Sequence, residues 1–347
     1  MATFIPSLEL NERFFKETVR PILAADFPDL RYGAGLIGPG SEVLGFDTPM
    51  SMDHDWGLQF FIFVKEEDRD QCQAIANVLS HRLPLEFLGF PVSLTDSAAP
   101  PRQRKFDVLA VPLEGPIQHN IVPLTVRQFS NIQLAWDSDA ALTTKEWLAI
   151  PGYKFGEVVA GQIFCDDTSE ITHFRQNLTW YSWDVWLYLL AKGWHRIGED
   201  EHLMPRAGFV GDNLGASLMA SRLVRAVMSL CFLIEKKYPP YSKWFGSAFR
   251  KLDCGEELMP LLRKVQTAAS WQEQHEGLVV VYEYMAKKHN ELGITERLPY
   301  KASGFHDRPW QVIHGDVFAE ALVRRIRRED IKKLGEALVS SDLPEAD

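Results

Sequence analysis

Apolar positions in the first part of the chain follow two different periods. Residues 9–25 set Phe14, Phe15 and Val19 on a helical spacing, and Pro21 predicts a kink or break late in that helix. Residues 56–64 are almost continuously apolar, which is the pattern of a buried strand. From 66 to 82, Cys72, Ile75, Ala76 and Leu79, with Leu83 beyond, recur at i, i+3, i+4 and i+7 and predict an amphipathic helix. Shorter runs at 90–94, 106–111 and 120–126 predict further strands, and Pro123 sends the last of them to an edge or a bulge.

Past residues 136–144 the period changes. Strand patterns fade, and helical ones follow at 172–194, 214–237, 257–268, 270–290, 317–327 and 330–338. The run 214–237 is apolar on most faces, as in a central buried helix, and Pro239-Pro240 ends it. This order predicts an α+β chain. A mixed sheet with helices occupies residues 1–137, and an all-α helical domain follows over 138–347.

Composition narrows the classes of function. A formal net charge of −10 lowers the expectation of a protein that grips nucleic acid. Cys72, Cys165, Cys231 and Cys254 show no metal-knuckle spacing, so a reduced, cytoplasmic setting is expected. Residues 1–13 have neither the basic start nor the apolar block of a secretory signal. Arg222 and Arg225 interrupt the apolar stretch 214–234, so no membrane partner is expected.

The chemistry concentrates in Gly38-Pro39-Gly40-Ser41-Glu42-Val43-Leu44-Gly45-Phe46-Asp47 and in Asp53-His54-Asp55-Trp56-Gly57. Gly40-Ser41 follows a glycine-rich turn. Ser41 as the cap of a short helix would offer a hydroxyl and free N–H groups to a phosphate. Asp53 and Asp55, at the start of the predicted strand, would face one side while His54 faces the other. Adjacent carboxylates repel unless a cation separates them, and Mg²⁺ is the hard divalent ion that also binds phosphates. The set describes a phosphoryl or nucleotidyl transfer site in which metal ions neutralise a triphosphate and the Ser41 turn holds the departing pyrophosphate.

This arrangement of Gly-Ser, a spacer and Asp-X-Asp resembles the DNA polymerase beta-like nucleotidyltransferase superfamily. The longer strings are similar to a little-characterised bacterial and fungal domain-of-unknown-function family placed with it, as are Trp183 to Tyr188, Tyr238 to Trp244, His289-Asn290 and Phe305 to Pro309. The resemblance implies a nucleotidyltransferase-type fold, a two-metal Mg²⁺ site and a nucleoside triphosphate substrate. It also implies a third carboxylate on a later strand. Asp107, flanked by Phe106 and Val108, suits that place, whereas the run 119–125 shows Val122 where the pattern has an acid.

Three cations complete the set of site candidates. Arg222 and Arg225 stand on the apolar helix and need an anionic partner, either a triphosphate or a nearby acid such as Asp184, Asp212 or Glu235. Lys243, after the Pro-Pro stop, reaches a phosphate or packs its stem on Trp244. Asp212 suits a helix cap. The sequence thus predicts Mg²⁺ on Asp53 and Asp55, with Asp107 as the third ligand that the resemblance implies, and β/γ-phosphates on Gly40 and Ser41. Arg222, Arg225 and Lys243 would serve the phosphates or the acceptor, in a cleft between the two domains. The acceptor is unknown, and a small molecule is favoured over nucleic acid. The alternative is a nucleotide-binding or sensor protein of the same fold with weakened catalysis.

Overall fold

The computed structural model describes residues 3–53, 56–93 and 115–340. The chain forms two compact units, Met1–Thr179 and Trp180–Asp347. The first is mixed α/β and the second is almost entirely helical, as the change of period predicts. The division nevertheless falls later than residue 137. The reason is a strand in 138–179 that belongs to the first sheet.

That sheet has four strands: β1 (Tyr32–Leu36), β2 (Gln59–Val64), β5 (Asn120–Thr125) and β6 (Gln162–Asp166). Their order is β5-β2-β1-β6. β1 runs antiparallel to both neighbours and β5 runs parallel to β2. Pro123 therefore lies on an edge strand, where a missing N–H is tolerated. Strand pairs β3 (Glu86–Phe87) and β4 (Phe90–Pro91) form a small separate hairpin. The predicted strand at 106–111 lies outside the described residues.

Every residue of β2 is buried because the sheet is covered on both faces. Phe60, Ile62 and Val64 join one apolar cluster with Leu10, Phe14 and Phe15. Phe61 and Phe63 meet Phe129 at ring-centroid distances of 5.1 and 5.5 Å on the other side. Phe129 belongs to α4 (Val126–Leu134), whose start is fixed by a reciprocal Thr125–Gln128 capping box.

The N-terminal helix is continuous through Pro21. α1 (Ser7–Phe14) passes into a π-helical segment, Phe15–Val19, and then into α2 (Arg20–Asp26). The wider turn ahead of Pro21 gives room for the ring where an α-helix would clash with it. After β2, a 3₁₀ segment (Glu66–Gln71) leads into α3 (Cys72–Arg82), which supplies Ile75 and Leu79 to the core. α5 (Thr144–Ala149), α6 (Gly152–Val159) and α7 (Glu170–Asn177) complete the unit.

The single helix predicted over 172–194 is two helices. α7 ends at Asn177 and α8 (Trp183–Glu201) starts after Ser182. Between them Trp180 and Tyr181 pack on Tyr238, with centroids at 4.8 and 5.1 Å, so they leave the helical path. The second unit continues with α9 (Leu203–Phe209), α10 (Asn213–Ile234), α11 (Phe245–Phe249), α12 (Gly255–Thr267) and α13 (Trp271–Glu291). A two-residue strand pair, β7 (Ser303–Gly304) with β8 (Gln311–Val312), precedes α14 (Gly315–Val323) and α15 (Glu329–Ser340). By length and composition alone α10 could cross a membrane, with a mean hydropathy of 1.6. It packs on α8, α9, α12 and α13, and its Ala220, Leu223, Val227 and Leu230 are fully buried, as in a core helix.

Candidate functional site

Strand register sets the exit of β1 and the entry of β2 at one end of the first sheet. Gly35 pairs with Phe61 across the antiparallel β1–β2 ladder. The exit of β1, which leads to Gly40-Ser41, and the entry to β2, which follows Asp53, therefore lie at the same sheet end. Parallel pairing brings Asn120 beside Gln59 there as well.

The Gly40–Phe46 segment is a compact turn rather than a helix. The N–H groups of Leu44, Gly45 and Phe46 donate to the carbonyls of Gly40, Glu42 and Ser41 at 3.3, 3.1 and 2.8 Å. Neighbouring backbone holds the turn. Gly38 N–H donates to Glu157 O at 2.9 Å and Gly161 N–H to Val43 O at 3.0 Å. Gly161 has φ +75°, and a Cβ there would stand 2.2 Å from the Leu36 carbonyl oxygen, so only glycine fits between β1 and the turn. Ser41 is half-buried, and its side chain makes no hydrogen bond among the described residues. Its hydroxyl is thus available to an anion.

Asp53 ends a 3₁₀ segment, Pro49–Asp53, well before β2 begins at Gln59. Asp53 thus stands ahead of β2 rather than at its start, and Asp55 lies outside the described residues. The side chain of Asp53, and all of Asp55 and Asp107, lie outside the described residues. Among the described residues no group of three or more His, Cys, Asp or Glu side chains could hold a metal ion. β5 carries no carboxylate.

Sequence reasoning missed several polar residues that organise this end of the sheet. Glu42 is buried and accepts from Gln59 Nε2 at 3.4 Å. Asp47 Oδ2 accepts from Ser7 N–H at 2.8 Å and from Trp56 Nε1 at 3.4 Å. Asn11, fully buried on α1, donates to Gly57 O at 2.9 Å and accepts from Gln59 N–H at 2.8 Å. The only signal in the sequence was a polar residue on an otherwise apolar helical stripe.

Residues 147–245 match a family described as a domain of unknown function, DUF4037. The match runs from α5 to the start of α11 and leaves out the Gly38–Asp55 stretch. No curated protein and no solved structure matches the chain.

The remaining candidates lie in the second unit. Arg222 faces an acid that sequence reasoning did not name. Its Nε is 3.3 Å from Asp200 Oδ2, and Arg196 Nε is 3.5 Å from the same oxygen. Arg225 is exposed, with its guanidinium 5.2 Å from the Phe245 ring centre, and Lys243 Nζ lies 4.9 Å over Trp244. Asp212 caps α10 by accepting from Gly215 N–H at 2.8 Å. Asp184 accepts from Arg328 N–H at 2.8 Å, at the start of α15.

Two buried ionisable groups stand beside these. Glu201 accepts N–H bonds from Ile313 at 2.6 Å and from Gly315, the first residue of α14, at 3.0 Å. Burial outweighs those bonds and pushes its carboxyl up to about 7. His289 accepts from Trp194 Nε1 at 3.1 Å, and burial lowers it to about 4. Its other ring nitrogen is 3.0 Å from Thr295 Oγ1, so the neutral ring uses both nitrogens. A cavity of about 570 Å³ lies along α12, lined by Arg250, Arg263 and Lys264 among others, and holds none of the predicted site residues.

Proposed function

We propose that this chain is a nucleotidyltransferase that moves a nucleoside monophosphate from a nucleoside triphosphate to an acceptor hydroxyl. The observation that carries the reading is the shared sheet end. The turn bearing the free Ser41 hydroxyl follows the end of β1, and the chain bearing Asp53 leads into β2 at that same end of the sheet. An acceptor oxygen attacks the α-phosphorus, a new P–O bond forms, and the bond to the bridging oxygen of the β-phosphate breaks. Pyrophosphate leaves, held by Gly40 and Ser41, and the acceptor proton passes to a carboxylate of the site.

Asp53, Asp55 and Asp107 supply hard oxygen donors of the kind that suit Mg²⁺, which would neutralise the polyphosphate when bound. Arg225 and Lys243 are exposed cations of the second unit. Arg222 is already engaged by Asp200.

The test is incubation with each α-labelled nucleoside triphosphate and Mg²⁺ in a cell extract. Label should move to an acceptor, and Asp53→Asn or Asp55→Asn should abolish the transfer. Absence of transfer from every nucleotide, or equal transfer by the variants, would refute the reading. A second reading, a nucleotide-binding protein with weakened catalysis, is favoured by β5. That strand, adjacent to β2, presents Asn120 and Val122 and no acid. It expects the wild type to bind ATP and to transfer no label.

A further inference from the structure

The cysteines stand at no metal-binding spacing in the sequence, yet the second unit brings two of them together with a methionine. Cys231 lies in the last turn of α10, and Met285 lies on α13. Cys254 immediately precedes Gly255, the first residue of α12. These three helices pack on one another. Met285 is 0 % exposed, and both cysteines are buried free thiols. Cys231 Sγ is 3.5 Å from Met285 Sδ, and the Cys254 thiol is within hydrogen-bonding reach of the Cys231 thiol.

Glu235 fixes the backbone of both cysteines. Its N–H donates to Cys231 O at 3.0 Å, and its Oε1 accepts the Cys254 N–H at 2.9 Å. Its Oε2 accepts from Asp253 N–H at 2.9 Å and from Lys237 Nζ at 3.1 Å. A buried cysteine can serve simply as a small apolar side chain. Here two thiols and a thioether from three elements share one contact chain, and a single carboxylate ties the thiol-bearing backbones together. Metal ligands receive support of that kind.

The donor set selects the ion. Thiolate and thioether sulfurs are soft and suit Cu(I). Structural Zn²⁺ takes four ligands, and a fourth is missing. Among the described residues no group of three His, Cys, Asp or Glu side chains could hold a metal ion, and the Glu235 carboxylate is occupied by two N–H groups and Lys237. A metal–sulfur bond of about 2.3 Å sets the sulfurs of a three-coordinate ion about 4 Å apart. The Cys231–Met285 pair is already close to that separation and opens by roughly 0.5 Å to admit the ion. The N-terminus of α12 favours a thiolate on Cys254.

We propose that Cys231, Cys254 and Met285 form a Cu(I) site that joins α10, α12 and α13. Binding replaces the two thiol protons, which leave to solvent, and copper keeps its oxidation state. The site does not depend on the nucleotidyltransferase reading.

The test is anaerobic titration of the reduced full chain with Cu(I) in competition with the chelator bicinchoninate, with thermal unfolding recorded for every protein. Wild type should take up one Cu(I) per chain and unfold at a higher temperature when loaded. Cys231→Ala and Cys254→Ala should each weaken binding more than about 100-fold, beyond the loss caused by removing a merely supporting residue. Met285→Leu keeps the volume and should weaken it about 10-fold. Replacing both half-buried cysteines of the first unit, Cys72→Ala with Cys165→Ala, should leave binding unchanged. If a cysteine variant does not fold, X-ray absorption of the loaded wild type decides, with three sulfur neighbours expected at about 2.3 Å. Wild-type affinity in folded Cys231→Ala or Cys254→Ala, copper held through nitrogen or oxygen, or no uptake by the wild type would overturn the site.

Discussion

Replacing Glu201 by Gln should remove a specific slope from the pH dependence of stability. Glu201 is 3 % exposed and its carboxyl holds the N–H groups of Ile313 and of Gly315, the first residue of α14. Burial raises it from 4.5 to about 7, with Asp316 adding a smaller push in the same direction. The folded state therefore binds this proton more tightly than the unfolded chain does. Its contribution is complete below pH 4.5 and is lost as pH rises through about 7. A difference of that size corresponds to about 3 kcal/mol in full, of which roughly 2 falls between about pH 5 and pH 8. His289 runs the other way. Its lowered value contributes stability above 6.5 that is lost as pH falls through about 4. The wild-type profile alone would mix the two, so the informative quantity is wild type minus Glu201→Gln. In the variant the amide NH₂ faces one of the two backbone donors, a pH-independent cost of about 1–3 kcal/mol. Urea midpoints read by tryptophan fluorescence across this pH range give the difference directly. It should shift against the wild type by roughly 2 kcal/mol as pH rises. A difference that stays flat, or that moves in favour of the wild type, would refute the assignment of a raised carboxyl to Glu201.

Gly161→Ala puts a methyl group against the Leu36 carbonyl at a position with φ +75°. It should cost more than about 2 kcal/mol, read as a lower urea midpoint. Asp212→Ala removes the cap bonded to Gly215 N–H at 2.8 Å and should cost about 1 kcal/mol by the same measurement. Arg222→Ala leaves Asp200, whose side chain is 5 % exposed, with Arg196 alone at 3.5 Å. The expected loss is roughly 1–3 kcal/mol, less than for a fully buried pair because Arg222 is itself partly exposed, and adding Asp200→Asn should recover part of it. His289→Gln should flatten the acid limb of the stability profile between pH 6.5 and about 4, measured by thermal unfolding.

The parts of the fold that were legible in the sequence are those where one local rule decides. β2 is buried on both faces, so its apolar run is continuous, and Pro123 can sit only where no ladder N–H is needed. The strands that escaped notice are set by tertiary context. β1 reads Tyr-Gly-Ala-Gly-Leu, a composition that favours turns, yet it is the fully buried strand between β2 and β6. Its glycine content follows from packing, since a Cβ on Gly35 would stand 2.7 Å from Gln162 O. β6 is only half-buried at every position and has no apolar run to announce it. Missing it moved the expected boundary back toward residue 137.

The candidate site divides along the same line. The turn at 38–46 follows from a glycine-rich string that the sequence carries, whereas the helix expected at Ser41 and the strand before it do not match that reading. The partner of Arg222 does not follow from anything nearby, because Asp200 stands on α8, a different helix from α10. The acid pair exposes the limit most clearly. Placing Asp53 and Asp55 on one face by strand alternation needs a strand, and Asp53 instead closes a 3₁₀ segment ahead of β2. Asp47 and Asn11 are tied to the chain on either side of it, and both reach it from α1 or bond to α1. Period-2 reasoning cannot find such residues, because their value lies in a contact between a helix and a loop far apart in the sequence.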